Sequence, residues 1–307
     1  MSSDPTRPIL AIVGVTASGK SQLALELARR HAGIELVSID SMQIYRCMDV
    51  GTAKPTRAER AEIPHHLIDL VEPYQEFSVS EFQFAASEAI GEIESRGNQP
   101  VLVGGTGLHL RAVVDDLRIP GQYPDVVADL DGVETSALHN RLVELDPESA
   151  GRMEASNRRR IVRALEVTLG SGMPFSSFGP GLSVYPESRY RMIGPRWDRS
   201  SIDGRIEQRY ERQLADGFVG EVEALAAMER PLSRTAAQAL GYRQLLAHVR
   251  GECSLDEAVE AAMVATRRFA RRQERWFRRD PRITWVGIDE NPMEAMAAVV
   301  GEYELCV

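Results

Sequence analysis

GVTASGKS, at positions 14–21, fits the spacing G-x-x-x-x-G-K-[ST]. Glycines so placed let a loop wrap closely enough for backbone N–H groups to point at phosphate oxygens, and the lysine adds a point charge. The Ser21 hydroxyl that follows is the natural Mg²⁺ ligand of such a loop. An apolar run, Ile9-Leu10-Ala11-Ile12-Val13, reads as a buried strand feeding it, and residues 22–30 read as the helix leaving it. The pattern therefore predicts a di- or triphosphate site built from Gly14, Thr16, Ala17, Ser18, Gly19, Lys20 and Ser21. A glycine-rich turn with no ligand would leave Lys20-Ser21 unexplained.

Strand and helix signals alternate through the first third of the chain, as an α/β fold requires. Residues 36–39 form a short apolar strand ending at Asp40. Ser78 and Glu81 make a capping box for a helix that runs to Arg96, before Gly97. Residues 101–103 are another buried strand, closed by Gly104-Gly105-Thr106-Gly107. Single helices between strands imply right-handed crossovers and a mostly parallel sheet, with ligands beyond the strands' carboxyl ends. The loop, Asp40 and the GGTG turn should then share one crevice.

Strand character disappears between Asp115 and Glu187, where residues 136–145 and 157–169 read as amphipathic helices and a Gly/Pro-rich loop follows. This predicts a helical insertion domain over 115–187, with the core formed by 1–114 and 188–307. A strand returns at 190–194, and helices are predicted over 202–228, 235–249 and 255–279, with a last strand at 284–286. The helix from 255 starts at a Ser254/Glu257 capping box. Ala258, Ala262, Ala265, Phe269, Gln273 and Trp276 form one of its stripes, and Arg268, Arg271, Arg275 and Arg278 another.

The chain has 307 residues, 43% hydrophobic and 26% charged, ordinary for a globular protein. No apolar segment approaches a membrane span, and MSSDPTRP lacks the layout of a signal peptide. Three widely spaced cysteines, Cys47, Cys253 and Cys306, suit the cytoplasm and argue against a structural metal site. The net charge of −9 argues against nucleic acid, but it conceals two arginine concentrations. Arg267, Arg268, Arg271, Arg272, Arg275, Arg278, Arg279 and Arg282 face only Glu274 and Asp280, and Arg152, Arg158, Arg159, Arg160 and Arg163 form a second group. Acidic i+4 partners are few, so a polyanion surface is a better reading than a self-paired helix face.

Asp40 is the sharpest candidate for chemistry. At a strand end facing a phosphate loop it can hold Mg²⁺ through water, take a proton from an acceptor, or cap a turn. Arg205 and Arg209 lie four apart on one helix face, where a leaving diphosphate needs a cation; pairing with Glu207 or Glu211 is the plainer reading. Thr106 brings a hydroxyl to the crevice. His65 and His66 are adjacent and so point apart, which favours structural or lining roles over a metal pair.

GVTASGKS, then DSMQIY at 40–45, MDVGTAKP at 48–55, PHHL at 64–67, GGTG at 104–107, RALEV at 163–167, RIEQR at 205–209, GYR at 241–243 and Arg272-Gln273 together resemble the tRNA dimethylallyltransferases. The resemblance spans nearly the whole chain. It implies a P-loop nucleoside triphosphate hydrolase-like core in which the loop holds dimethylallyl diphosphate rather than ATP. It implies transfer of the dimethylallyl group to the exocyclic N6 amine of the adenosine 3′-adjacent to the anticodon (position 37), in tRNAs reading codons that begin with U. Carried over by position, Asp40 is the general base, Ser21 serves Mg²⁺, and Lys20, Thr106 and Arg209 hold the diphosphate. Contacts to tRNA map to Asp40, Ser41, Met42 and Gln43, to Arg159, Arg160 and Arg163, to Gln238, Gly241, Tyr242 and Arg243, and to Arg271, Arg272, Gln273, Arg275 and Arg278. The insertion would grip the anticodon stem-loop, and the enzyme would be a cytoplasmic monomer.

Two departures stand out. Residues 119–133 are shorter and more acidic than is usual, with Asp125, Asp129 and Asp131, and His109 replaces a usual tyrosine. An isopentenyltransferase acting on free AMP, ADP or ATP would share the crevice but needs no RNA surface. A small-metabolite kinase would need an adenine lid that the sequence does not show.

Overall fold

A computed structural model describes residues 7–307; the stretch 1–6, read above as carrying no targeting leader, lies outside the described residues. Ile9–Val13 (β1), Ile34–Ile39 (β2), His65–His66 (β3), Gln99–Gly104 (β4), Tyr190–Arg196 (β5) and Ile283–Gly287 (β6) form one sheet. Its order is β3-β2-β4-β1-β5-β6 and every pair is parallel. Strand β1 is buried throughout because its side chains alternate between two covered faces. Ile9, Ala11 and Val13 join Phe82, Ala86 and Ile90 of the Val79–Ser95 helix. Leu10 and Ile12 join Leu23 and Leu27 of the Lys20–Arg30 helix, with Val299 and Tyr303 of the Met296–Glu304 helix. This three-layer α/β arrangement, with the glycine loop after β1, is the P-loop nucleoside triphosphate hydrolase-like fold.

Several predicted elements shift, each for a local reason. The first helix begins at Lys20, inside the phosphate motif, because Gly19 (φ 88) turns the chain directly into it. The helix expected over 202–228 is two, Arg199–Ala215 and Phe218–Ala226, broken at left-handed Gly217 (φ 92). That expected over 235–249 is likewise Arg234–Ala237 and Tyr242–Val249, broken at Gly241 (φ 84). On the Leu255–Phe277 helix the buried stripe is Ala258, Ala262, Thr266, Ala270, Gln273 and Phe277, one position on from the predicted one at Thr266, Ala270 and Phe277. Both capping boxes, Ser78/Glu81 and Ser254/Glu257, are formed.

Asp116–Pro186 is a compact unit of its own. Its helices Thr135–Leu145 and Arg158–Ser171 enclose a core of Leu130, Leu138, Leu142, Ile161 and Leu165. The acidic stretch includes a short helix, Pro124–Asp129, begun by Pro124 in its first turn. Arg163 is spent inside this unit: its guanidinium donates to the carbonyls of Gly121 (3.0 Å) and Pro120 (2.8 Å) and pairs with Glu166. Arg159 and Arg160 are exposed.

Candidate active site

Three strand ends build the site. Gly104 lies in register with both Val13 and Ile39, so loop 14–19, Asp40 and the turn 105–107 emerge side by side at the carboxyl edge of the sheet. Ala17 (φ 62) and Gly19 (φ 88) are left-handed, the backbone alternation that turns amides into an anion-binding concavity. The loop's carbonyls are tied down: Trp197 Nε1 donates to Ser18 O (2.9 Å) and Arg205 Nε to Ala17 O (2.7 Å). Arg205 also lies 4.5 Å over the Trp197 ring, so of the RIEQR pair it braces the loop. Arg209, one turn later, lines the adjoining cavity.

A cavity of about 1000 Å³ is lined by Thr16, Lys20, Ser21, Asp40, Thr106 and Arg209 among others. Arg209 donates to Thr16 Oγ1 (3.0 Å) and to Gly51 O (3.2 Å), and Lys20 Nζ to Val15 O (3.3 Å). Asp40 Oδ1 accepts from the Met42 amide (2.8 Å), so one oxygen caps the turn. Thr106 Oγ1 accepts from the Ser41 amide (3.3 Å), which ties that turn to GGTG. Gln273, buried on the Arg-rich helix, accepts from Thr16 N (2.9 Å) and donates to Gly105 O (2.7 Å). Its carboxamide thus joins the phosphate loop to the GGTG turn.

Burial lowers the Lys20 pKa to about 8; nearby Asp40 opposes that shift and Arg209 adds to it. Burial also lowers the Arg209 pKa, without discharging a guanidinium at neutral pH. Two desolvated cations around one carboxylate favour a polyanion. Above about pH 8 the free protein loses the Lys20 proton, whereas a bound diphosphate would restore it, so binding then requires proton uptake. Affinity for inorganic diphosphate is accordingly expected to weaken as pH rises through about 8, approaching tenfold per pH unit above it. Calorimetric titration on both sides of that pH checks this; a flat profile excludes a charged Lys20 from the contact.

Ser21, exposed at the helix start, and Asp40 are hard oxygen donors on the same cavity. No group of three or more His, Cys, Asp or Glu could cage a metal among the described residues. That donor set fits Mg²⁺, which takes one or two protein ligands and completes its shell with phosphate oxygens and water.

The IPP transferase family matches residues 43–280. The chain belongs to that family. The Isopentenyl transferase family also matches, over 7–69. A tRNA dimethylallyltransferase of Nocardioides sp. is 48% identical over 295 residues, covering 94% of each chain. One of Streptomyces coelicolor is 48% identical, covering 93% of this chain and 92% of its own. The crystal structure of the tRNA isopentenylpyrophosphate transferase of Bacillus halodurans superposes with a TM-score of 0.70 at 34% identity, covering 98% of both chains.

Other residues that the family resemblance singled out are placed as follows. Ser41, Met42, Gln43 and Gln238 line the cavity. Gln43 is held by Ser38 Oγ (2.7 Å) and by the Thr52 and Ala53 carbonyls. Tyr242 also borders the cavity but is 1% exposed, its hydroxyl donating to Glu221 (2.6 Å), while Arg243 is exposed. Arg271, Arg272 and Arg275 line a second cavity of about 580 Å³ with Arg199, Arg268 and Glu274; Arg278 is exposed. Arg199 comes from another helix, and no spacing pattern could have found it. His65 faces the main cavity, whereas His66 Nε2 meets Glu35 Oε2 at 2.6 Å, so the two rings do diverge. His109 is packed edge-on to Phe82, and burial lowers its pKa to about 4 against the pull of Asp40, leaving it neutral.

Proposed function

We propose that this protein transfers the dimethylallyl group of dimethylallyl diphosphate to the exocyclic N6 amine of the adenosine at position 37, beside the tRNA anticodon. The observation carrying this reading is the meeting of Lys20, Arg209, Thr106 and Asp40 in one cavity beneath a helix that also bears the arginine face. The diphosphate would lie on the amides of loop 14–19, with Lys20, Thr106 and Arg209 around its oxygens. An exocyclic adenine amine is a weak nucleophile, because its lone pair is delocalised into the ring. Reaction therefore leans on the allylic carbon, which gains cation character as the C–O bond breaks and the electron pair leaves with diphosphate. The two cations stabilise that leaving charge. As the N–C bond forms, the amine proton passes to the Asp40 carboxylate. Bound through Ser21, with Asp40 reached through water, Mg²⁺ would neutralise part of the diphosphate charge.

The adenine must leave its stack to reach this cavity, at a cost of about a few kcal/mol that contacts to the surrounding loop offset. Arg271, Arg272, Arg275 and Arg278, together with the exposed Arg159 and Arg160 of the Asp116–Pro186 unit, are proposed to meet the anticodon stem-loop. Three free cysteines are consistent with work in the cytoplasm; the protein is proposed to act as a monomer. Among the described residues no helix is long and apolar enough to cross a membrane.

Labelled dimethylallyl diphosphate offered with an anticodon stem-loop, or with AMP, tests the acceptor; label on AMP alone would redirect the reading to free nucleotides. In a parallel titration, Arg271→Ala and Arg275→Ala should each weaken stem-loop binding and flatten its dependence on log[salt], by about 0.7–0.9 in slope per phosphate contact. Diphosphate affinity should not change. An unchanged slope would remove these arginines from the RNA surface.

A further inference from the structure

We propose that Glu221 is a positioning residue that sets Arg209 on the leaving diphosphate by clamping the loop 49–51. The Glu221 carboxylate takes three consecutive backbone amides: Asp49 N and Val50 N on Oε2, both at 2.8 Å, and Gly51 N on Oε1 at 3.1 Å. The Tyr242 hydroxyl adds a fourth donor on Oε1 at 2.6 Å. Successive amides converging on one point make an anion-binding concavity, and here its occupant is the protein's own side chain.

What the clamp fixes is the backbone of Gly51, whose N–H and C=O lie in two successive peptide planes. Its amide faces Glu221, and its carbonyl accepts from Arg209 (3.2 Å) and from Gln213 Nε2 (2.9 Å). Gln213, one turn after Arg209 on the same helix, also donates to Val50 O (2.7 Å). A side chain at Gly51 would run into the rings of Phe218 and Tyr242, so the residue is pinned from the third direction as well. Among the described residues Arg209 has no ion pair; it hydrogen bonds only to Gly51 O and Thr16 Oγ1. Thr16 belongs to the phosphate loop itself, which leaves Gly51 as the anchor outside that loop.

The chemistry at position 221 calls for a carboxylate. A carboxamide presents one acceptor oxygen and an NH₂ that must face amide donors, so Glu221→Gln loses at least one of the bonds that hold the backbone of residues 49–51. The Gly51 backbone can then turn about its φ and ψ and withdraw its carbonyl from Arg209. A guanidinium displaced by an ångström no longer meets the departing oxygens, and such displacements cost rate out of proportion to their size.

This inference rests on Arg209 as a ligand of the diphosphate, and a double-mutant cycle tests both. Glu221→Gln, Arg209→Lys and the double variant are compared by kcat/KM for dimethylallyl diphosphate at saturating stem-loop RNA, alongside RNA affinity and thermal melting. Glu221→Gln is expected to lower kcat/KM by about 10–100-fold with RNA affinity within about threefold. In the Arg209→Lys background the same change should add less than about threefold, because the group it positions is gone. Equal penalties in both backgrounds, or an unchanged kcat/KM in Glu221→Gln, would overturn the role. Should Glu221→Gln melt below the assay temperature, Glu221→Asp, which keeps the charge one methylene short, runs the same cycle with a smaller loss. Arg209→Lys with unaltered diphosphate affinity would instead remove the reading of Arg209, and this inference with it.

Discussion

Asp40→Asn is expected to lower the single-turnover rate by about 10²–10⁴-fold while stem-loop affinity stays within about threefold. Asparagine is the informative substitution because it separates the turn contact of this side chain from its proposed role as base. One oxygen of Asp40 accepts the Met42 amide and shapes the turn after β2, and the carbonyl of Asn can do the same. What Asn cannot do is accept a proton from the amine as the N–C bond forms. The charge of Asp40 supports the protonated forms of Lys20 and Arg209 but also repels a bound polyanion, so its removal acts on diphosphate binding in two opposing directions and the net change should be modest. Rapid-quench measurement with preformed ternary complex isolates the chemical step from product release. Rates near wild type would leave Asp40 as a turn cap and make water or a phosphate oxygen the base.

The readable part of this protein was the part written in local chemistry. GVTASGKS announced its loop because amide cradles need glycine at fixed intervals. Asp40 and GGTG followed because each ends an apolar strand, and parallel strands end on the same side. The two-residue strand β3 was invisible: His65-His66 has no periodicity to read, and it forms only because β2 offers a parallel edge. The helix breaks at Gly217 and Gly241 are not legible in the sequence, because a lone glycine also occurs within helices and only φ decides. The arginine stripe was legible as charge, but not which arginines share a cavity. Arg199 joins Arg268, Arg271, Arg272 and Arg275 through tertiary placement alone. Arg163 shows the reverse case, since a residue in a matching motif is held by carbonyls of its own unit. Glu221 carried no signal at all, because its partners are backbone amides some 170 positions earlier, and any sequence supplies amides.

Arg209→Ala should produce the other large loss, about 10²–10³-fold in kcat/KM for dimethylallyl diphosphate. Its charge is half-buried, pays a desolvation cost visible in its lowered pKa, and finds no carboxylate partner among the described residues. A protein keeps such a cation where a ligand completes the pairing. Lys20 sits across the same space, yet the two are not interchangeable. Lys20 is a point charge at the helix start, whereas the guanidinium offers a planar fork to two oxygens at once. The loss in Arg209→Ala should therefore fall on both inorganic diphosphate affinity and the chemical step, because the charge it meets grows as the C–O bond breaks. Added guanidinium should restore part of the rate if the cavity left behind stays open. Arg205→Ala is the matched control, since that side chain braces the Ala17 carbonyl and stacks on Trp197. It should lower the melting temperature and weaken diphosphate binding without guanidinium rescue. Diphosphate affinity and turnover that both survive in Arg209→Ala would return this arginine to a structural tie between the phosphate loop and Gly51.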